Sequence, residues 1–320
     1  MSLSYFWAMK YLDYDKHDQF VREYFGDDFS SRAVGSIRNH DSGYIDIVRF
    51  FGKSAVDPSQ VSVHYQSQPF AFSDPLIVEF ASQIENQMRV DGRLYSDGSL
   101  VMKLVDANLD SPSPSITVQS ATYGQQAGSC FALDYPHAIF SGRGETLRAY
   151  WKSKYPSPRV IDNRLAICFG VCGFLITPNG RILCQYRTGK LASLESSIGT
   201  SVAGSVDWQL GYKTLADLTR AAMAQEISEE LGLREGEYSV TPLAYAREIF
   251  RGEKPQIFCA IETNLPESEI SHRLKSLAPA HHEHDAFDFL PSPTKSSVAP
   301  TGFNHETRMN HYLLEEWLDL

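Results

Sequence analysis

Three carboxylates crowd one short stretch, Ala222-Met-Ala-Gln-Glu-Ile-Ser-Glu-Glu-Leu-Gly-Leu233. Glu226, Glu229 and Glu230 are spaced i, i+3, i+4, which on a helix puts them within an arc of roughly 100°. Charges this close repel one another, and a hard divalent cation relieves the repulsion. Mg²⁺ takes oxygen ligands, keeps several waters and suits carboxylates on a helix face. A solvated acidic face is the alternative, because glutamate is a good helix former and acidic runs on exposed faces are common.

The residues around the stretch supply the helix. Thr214 followed by Asp217 is a capping-box pattern, with Asp in the place usually held by Glu. Gly232 stands where a left-handed cap ends a helix. Ala221, Ala224, Ile227 and Leu231 are expected to cover the face opposite the glutamates and to pack against a sheet.

From Gly211, five residues lead to Asp217 and seven more to Gln225, followed by Glu-Ile-Ser-Glu-Glu-Leu-Gly-Leu. This resembles the box of the Nudix hydrolase superfamily, in which a Gly, a Glu, an Arg-Glu, an aliphatic, a Glu-Glu, a Gly and a final aliphatic recur at these intervals. Asp217 replaces the first Glu and Gln225 replaces the Arg. The resemblance covers about residues 163 to 320. It implies an α+β fold: a Nudix-type α/β/α sandwich with a mixed sheet in the C-terminal half. It also implies metal-dependent hydrolysis, with Mg²⁺ or Mn²⁺, of a phosphoanhydride in a nucleoside diphosphate linked to another group. By position Glu226 is a metal ligand and catalytic base, and Glu229 and Glu230 are metal ligands. Gly211 lets its loop approach the diphosphate, with a structural turn as the equal alternative. A fourth carboxylate is expected from the loop before a late strand; Glu283 in His281-His-Glu-His-Asp285 is the first choice, ahead of Glu262 and Glu267. Gln cannot make the charge-assisted contact of the Arg it replaces, so a catalytically weak or inactive domain that binds a nucleotide for regulation is the alternative function.

Other basic and aromatic residues have plainer readings. Arg187 and Lys190 follow a strand, and Arg247, Arg251 and Lys254 flank a turn. Arg187 and Arg251 are candidates for contacting substrate phosphates, against an ordinary surface role. Tyr245 and Phe250 could stack on a base, but strand aromatics usually belong to the core.

Composition bounds the rest. The chain has 320 residues, 42% of them hydrophobic, a formal net charge of −10 and five cysteines. The acidic balance argues against binding a DNA or RNA backbone, but not against a small nucleotide. No apolar run is long enough to span a membrane, and the start lacks a secretory pattern. The cysteines show neither disulfide nor zinc spacing and read as buried thiols, which points to a cytoplasmic setting. A homodimer is an allowed assembly.

Two domains are expected: residues 1–160, a smaller α+β unit without a nameable motif, and 161–320, the Nudix-like part. Helices are expected at 15–25, 74–88, 267–278 and 304–320. Strands are expected at 43–51, 60–65, two around Asp97-Gly98, and one after the Ser/Pro break at 111–114. Further strands are expected at 164–177 and 180–187, joined by Pro-Asn-Gly, and at 242–250, 256–265 and 286–291.

Overall fold

The structure, a computed structural model, describes residues 44–94, 98–142, 144–154, 164–187, 197–277, 284–295 and 299–320. In chain order the strands are β1 (Tyr44–Arg49), β2 (Ser62–Tyr65), β3 (Leu100–Asn108), β4 (Ser115–Thr122), β5 (Gly170–Ile176), β6 (Arg181–Arg187), β7 (Ile198–Gly199), β8 (Val202–Ser205), β9 (Tyr238–Glu248), β10 (Lys254–Thr263) and β11 (His284–Pro291). The helices are α1 (Pro75–Val90), α2 (Tyr123–Ser129), α3 (Leu147–Lys154), α4 (Leu215–Glu226), α5 (Glu267–Ser276) and α6 (His305–Leu318).

The fold is α+β with a mixed main sheet. Its order is β1-β9-β10-β5-β6-β11, with β8 on β5 and β7 on β6. Among the described strands of this sheet, β5 and β10 run parallel and the other pairs are antiparallel. One face packs against α4 through Val171, Leu218, Met223 and Ile227. The other packs against α6 through Phe174, Phe258, Met309 and Leu313. A helix layer therefore covers each face, which makes an α/β/α sandwich.

The centre of this sheet is forked. β5 and β6 meet at Ile176 and Ile182 beside the Pro-Asn-Gly turn, where Gly180 has φ +68°. They then part, β5 pairing with β8 and β6 with β7. Ser201 bridges the fork: its hydroxyl accepts from the Leu175 amide at 2.6 Å and donates to the Leu183 carbonyl at 2.5 Å. Gln185 on β6 reaches across and donates to the Ser201 carbonyl at 2.5 Å. Ser201 is fully buried, so water cannot replace these bonds.

A second sheet, β2-β4-β3, is stitched to this region. The Met102 amide donates to the Val206 carbonyl at 2.8 Å, and the Phe169 amide to the Met102 carbonyl at 2.8 Å. One hydrophobic cluster runs from Phe80, Ile84 and Val118 to Phe169, Leu218 and Ile227. β1, from early in the chain, is an edge strand of the main sheet on β9.

Several expectations change. The hairpin around Asp97-Gly98 has only its second strand, β3, among the described residues; β3 pairs instead with β4, across the Ser/Pro segment. The stretch after β4 folds as α2, where Thr122 and Gln125 form a reciprocal capping box. Residues 164–169 precede β5 as irregular backbone, because their hydrogen bonds go to β3. The helix expected at 15–25 lies outside the described residues. The five cysteines are free and buried. Among the described residues no helix is long and apolar enough to cross a membrane.

Replacing Ser201 by Ala leaves a buried amide and a buried carbonyl without a partner. The expected loss is about 1–3 kcal/mol per orphaned group, measured by urea unfolding. A change under about 0.5 kcal/mol would show that the fork does not depend on this hydroxyl.

Candidate functional site

Thr214 caps α4, its hydroxyl accepting from the Asp217 amide at 3.2 Å. Asp217 adds negative charge to the first turn, where the helix dipole favours it. The helix does not stay regular through the glutamates. It ends as α-helix at Glu226 and finishes in one π-turn, Ile227–Leu231, closed by Gly232 at φ +65°. Such turns often occur at functional sites. The buried face of α4 is Leu215, Leu218, Thr219, Ala222 and Met223, at regular helical spacing, whereas the expected Ala221 and Ala224 are only half-buried. Ile227 and Leu231 are buried as expected.

The glutamates divide into two groups. Glu226 and Glu230 both lie against β8. A Cβ placed on Gly204 would overlap the Glu226 carboxylate, so the glycine makes room for that group. Glu230 accepts from the Ala203 amide at 3.3 Å and from the Gln185 amide at 3.3 Å. Two carboxylates thus meet neighbouring residues of one strand, and the fork residue Gln185 holds the second. Glu229 is exposed and accepts from Gln225 at 3.1 Å. The same Gln225 nitrogen donates to Asp207 at 3.0 Å. Gln225 therefore orients Glu229, through a neutral amide shared with a second carboxylate.

The remaining candidates are scattered. Gly211 sits in an exposed turn at φ +108° with open space around its Cα, a conformation that selects glycine. Arg187 is half-buried and lies near enough to Glu306 to help hold that acid's charge. Arg251 faces the interior, 2% exposed, paired with Glu248 and with Glu306 at 2.6 Å. Arg247 pairs with Glu253 at 2.8 Å, also buried. Tyr245 and Phe250 are core residues. Glu267 pairs with Arg181 at 2.8 Å, and Glu262 is exposed. Glu283 and Lys190 lie outside the described residues.

Sequence reasoning did not single out Gln185, Ser201, Ala203, Gly204 or Asp207. All but Gln185 lie in a Gly/Ser-containing stretch read as loop. The available signal was its small residues, which allow close approach of a side chain to a strand.

Among the described residues no three His, Cys, Asp or Glu side chains are gathered as a metal cluster. The donor set still fits Mg²⁺, which is commonly held by one or two carboxylates together with substrate phosphates and retained waters. Glu226 and Glu230 supply that pair.

No protein-family model matches the chain, and no curated protein matches it. Among solved structures, the chain is similar to a MutT protein from Methanosarcina mazei Go1, with 13% identity, 48% of this chain and 96% of that one covered, and a TM-score of 0.32. It is also similar to a NUDIX-family hydrolase from Clostridium perfringens, with 14% identity, coverage of 48% and 99%, and a TM-score of 0.29. A Deinococcus radiodurans protein aligns with 19% identity, coverage of 39% and 67%, and a TM-score of 0.27. Nothing about activity follows from likeness at this level.

The Glu226–Gly204 contact yields a double-mutant cycle. Gly204→Ala is expected to destabilise the wild type by about 1–3 kcal/mol through steric overlap. In a Glu226→Ala background the same change should cost at least about 0.5 kcal/mol less. Equal costs in both backgrounds would show that the two residues do not meet.

Proposed function

We propose that the chain is a Nudix-type pyrophosphohydrolase that cleaves a phosphoanhydride in a nucleoside diphosphate derivative with Mg²⁺ or Mn²⁺. The observation that supports this reading best is the placement of Glu226 and Glu230 on adjacent residues of β8. When bound, the metal polarises the phosphoryl oxygens and makes water a stronger nucleophile. Glu226 and Glu230 hold it, with Glu229 as a further ligand oriented by Gln225 and Glu283 as the fourth carboxylate. Glu226 takes the proton of the attacking water. Gln185 and the Ala203 amide fix Glu230, so its carboxylate is ordered before substrate arrives. Gly211 gives the loop before α4 room to approach the diphosphate, and Arg187 offers positive charge. Arg251 is already engaged by Glu248 and Glu306. Residues 161–320 carry the chemistry; the boundary expected at residue 160 does not divide the packing, because β1 is part of the main sheet and the β2-β4-β3 sheet shares its core.

A second reading is a nucleotide-binding domain with weak or lost catalysis. Gln225 favours it: a neutral amide orients Glu229 less strongly than a guanidinium does.

A hydrolysis screen over nucleotide-sugars, ADP-ribose, dinucleoside polyphosphates and nucleoside triphosphates with Mg²⁺ and Mn²⁺ separates the two. Glu226→Gln should keep its fold by circular dichroism and lower turnover about a hundredfold or more. Binding without turnover across the whole screen would favour the regulatory reading. Normal turnover by the variant would remove Glu226 from its role.

A further inference from the structure

The strand that meets the two glutamates does not stop at β8. Beyond Ser205 the chain stays extended and changes partner from β5 to β3. The Val206 carbonyl accepts from the Met102 amide at 2.8 Å, Asp207 bridges Val101, and the Trp208 amide donates to the Leu100 carbonyl at 2.9 Å. This register sets Leu100 directly opposite Trp208, on one face. Alternate residues of an extended chain share a face. Trp208 therefore lies on the side of Val206, in the core shared with α4, and of Gly204, over which Glu226 lies. Trp208 follows Gly204 by four residues, about 13 Å along an extended chain.

Aromatic groups gather at this point. The Tyr65 ring on β2 meets the Trp208 indole edge to face, with centroids 5.7 Å apart and planes at 75°, an arrangement that favours one orientation of the indole. The Tyr65 hydroxyl donates to the Tyr212 carbonyl at 3.2 Å, and the Tyr212 hydroxyl to the Gln209 side-chain oxygen at 2.8 Å. The loop after Trp208 is thus tied to β2. Tyr65, Trp208 and Tyr212 are each half-buried, while Leu100 is 48% exposed and Leu210 65%. Exposed apolar residues need no explanation when scattered singly, but collected in one place they mark a contact surface. Asp207, next to Trp208, shares the Gln225 amide with Glu229, so the apolar surface begins where the carboxylates end. A ligand with a flat ring at one end and a metal-bound diphosphate at the other matches this succession, because any base presents a π-face to an aromatic side chain.

We propose that Trp208, braced by Tyr65 and faced by Leu100, stacks on the base of the nucleotide whose diphosphate is held at Glu226 and Glu230. This rests on the Nudix-type reading above. It gives the first half of the chain a part in substrate choice, since β2 and β3 supply two of the three side chains.

The test is calorimetric titration of full-length protein with ADP and, separately, with pyrophosphate, both in Mg²⁺. Trp208→Ala should weaken ADP binding about tenfold or more, the scale of one base–aromatic stack, and leave pyrophosphate within about twofold. Trp208→Phe should recover most of the ADP affinity. If Trp208→Ala does not fold by circular dichroism, Trp208→Phe carries the test through tryptophan emission: ADP should quench wild type and bind Trp208→Phe without that quenching. The proposal is overturned if Trp208→Ala binds ADP as wild type does, if it weakens both ligands equally, or if ADP quenches wild type and Trp208→Phe alike. Binding of pyrophosphate but not ADP by wild type also overturns it and leaves the diphosphate site standing. Binding of neither ligand overturns the Nudix-type reading with it.

Discussion

The fork between β5 and β6 is the constraint on which the rest of the site depends. Two strands leaving a tight Pro-Asn-Gly turn would ordinarily stay paired. Here they separate after a single pair, so a buried amide and a buried carbonyl need another partner. Ser201 meets both with one hydroxyl. That places β8 on β5 at the height of α4 and gives Glu226 a glycine to lie over and Glu230 a backbone amide to accept from. Gln185 completes the link, holding Ser201 and Glu230 with the same side-chain nitrogen. Fold and candidate chemistry are thus joined at one point.

Much of this was legible in the sequence because local rules governed it. The helices expected at 74–88 and 304–320 form as α1 and α6, and Pro-Asn-Gly made the β5–β6 turn. The Thr214 cap and the Gly232 stop fixed the ends of the glutamate-bearing helix. What stayed hidden depended on distant partners. The helix gives way to a π-turn after Glu226, a break in regularity that a 3.6-residue reading does not show. The Gly/Ser-containing stretch read as loop because β7 and β8 are short and exist only as fillers of the fork. The hairpin read at Asp97-Gly98 failed because β3 finds its antiparallel partner beyond the Ser/Pro segment, in β4. Arg251 read as a phosphate contact by its place beside a turn, whereas two buried acids draw it inward.

Gln225 shows how a departure from a motif can be absorbed locally. An arginine there would bring a charge and several donors. The amide brings two hydrogens, and Asp207 and Glu229 each take one. Asp207 sits where the second sheet meets the main one, bridged to Val101 on β3. The orientation of Glu229 is therefore linked to the N-terminal sheet, a dependence that the half of the chain carrying the glutamates could not reveal by itself.

The central claim is that Glu226 and Glu230, side by side on β8, hold a divalent cation together with a diphosphate. Electron paramagnetic resonance of free Mn²⁺, titrated into metal-free protein with and without pyrophosphate, tests it most directly. Wild type should remove the free-ion signal, more completely with pyrophosphate present, and Glu226→Gln/Glu230→Gln should leave it close to the protein-free level. An undiminished signal in wild type with pyrophosphate, or equal loss in both proteins, would contradict the claim and return the glutamates to a solvated helix face.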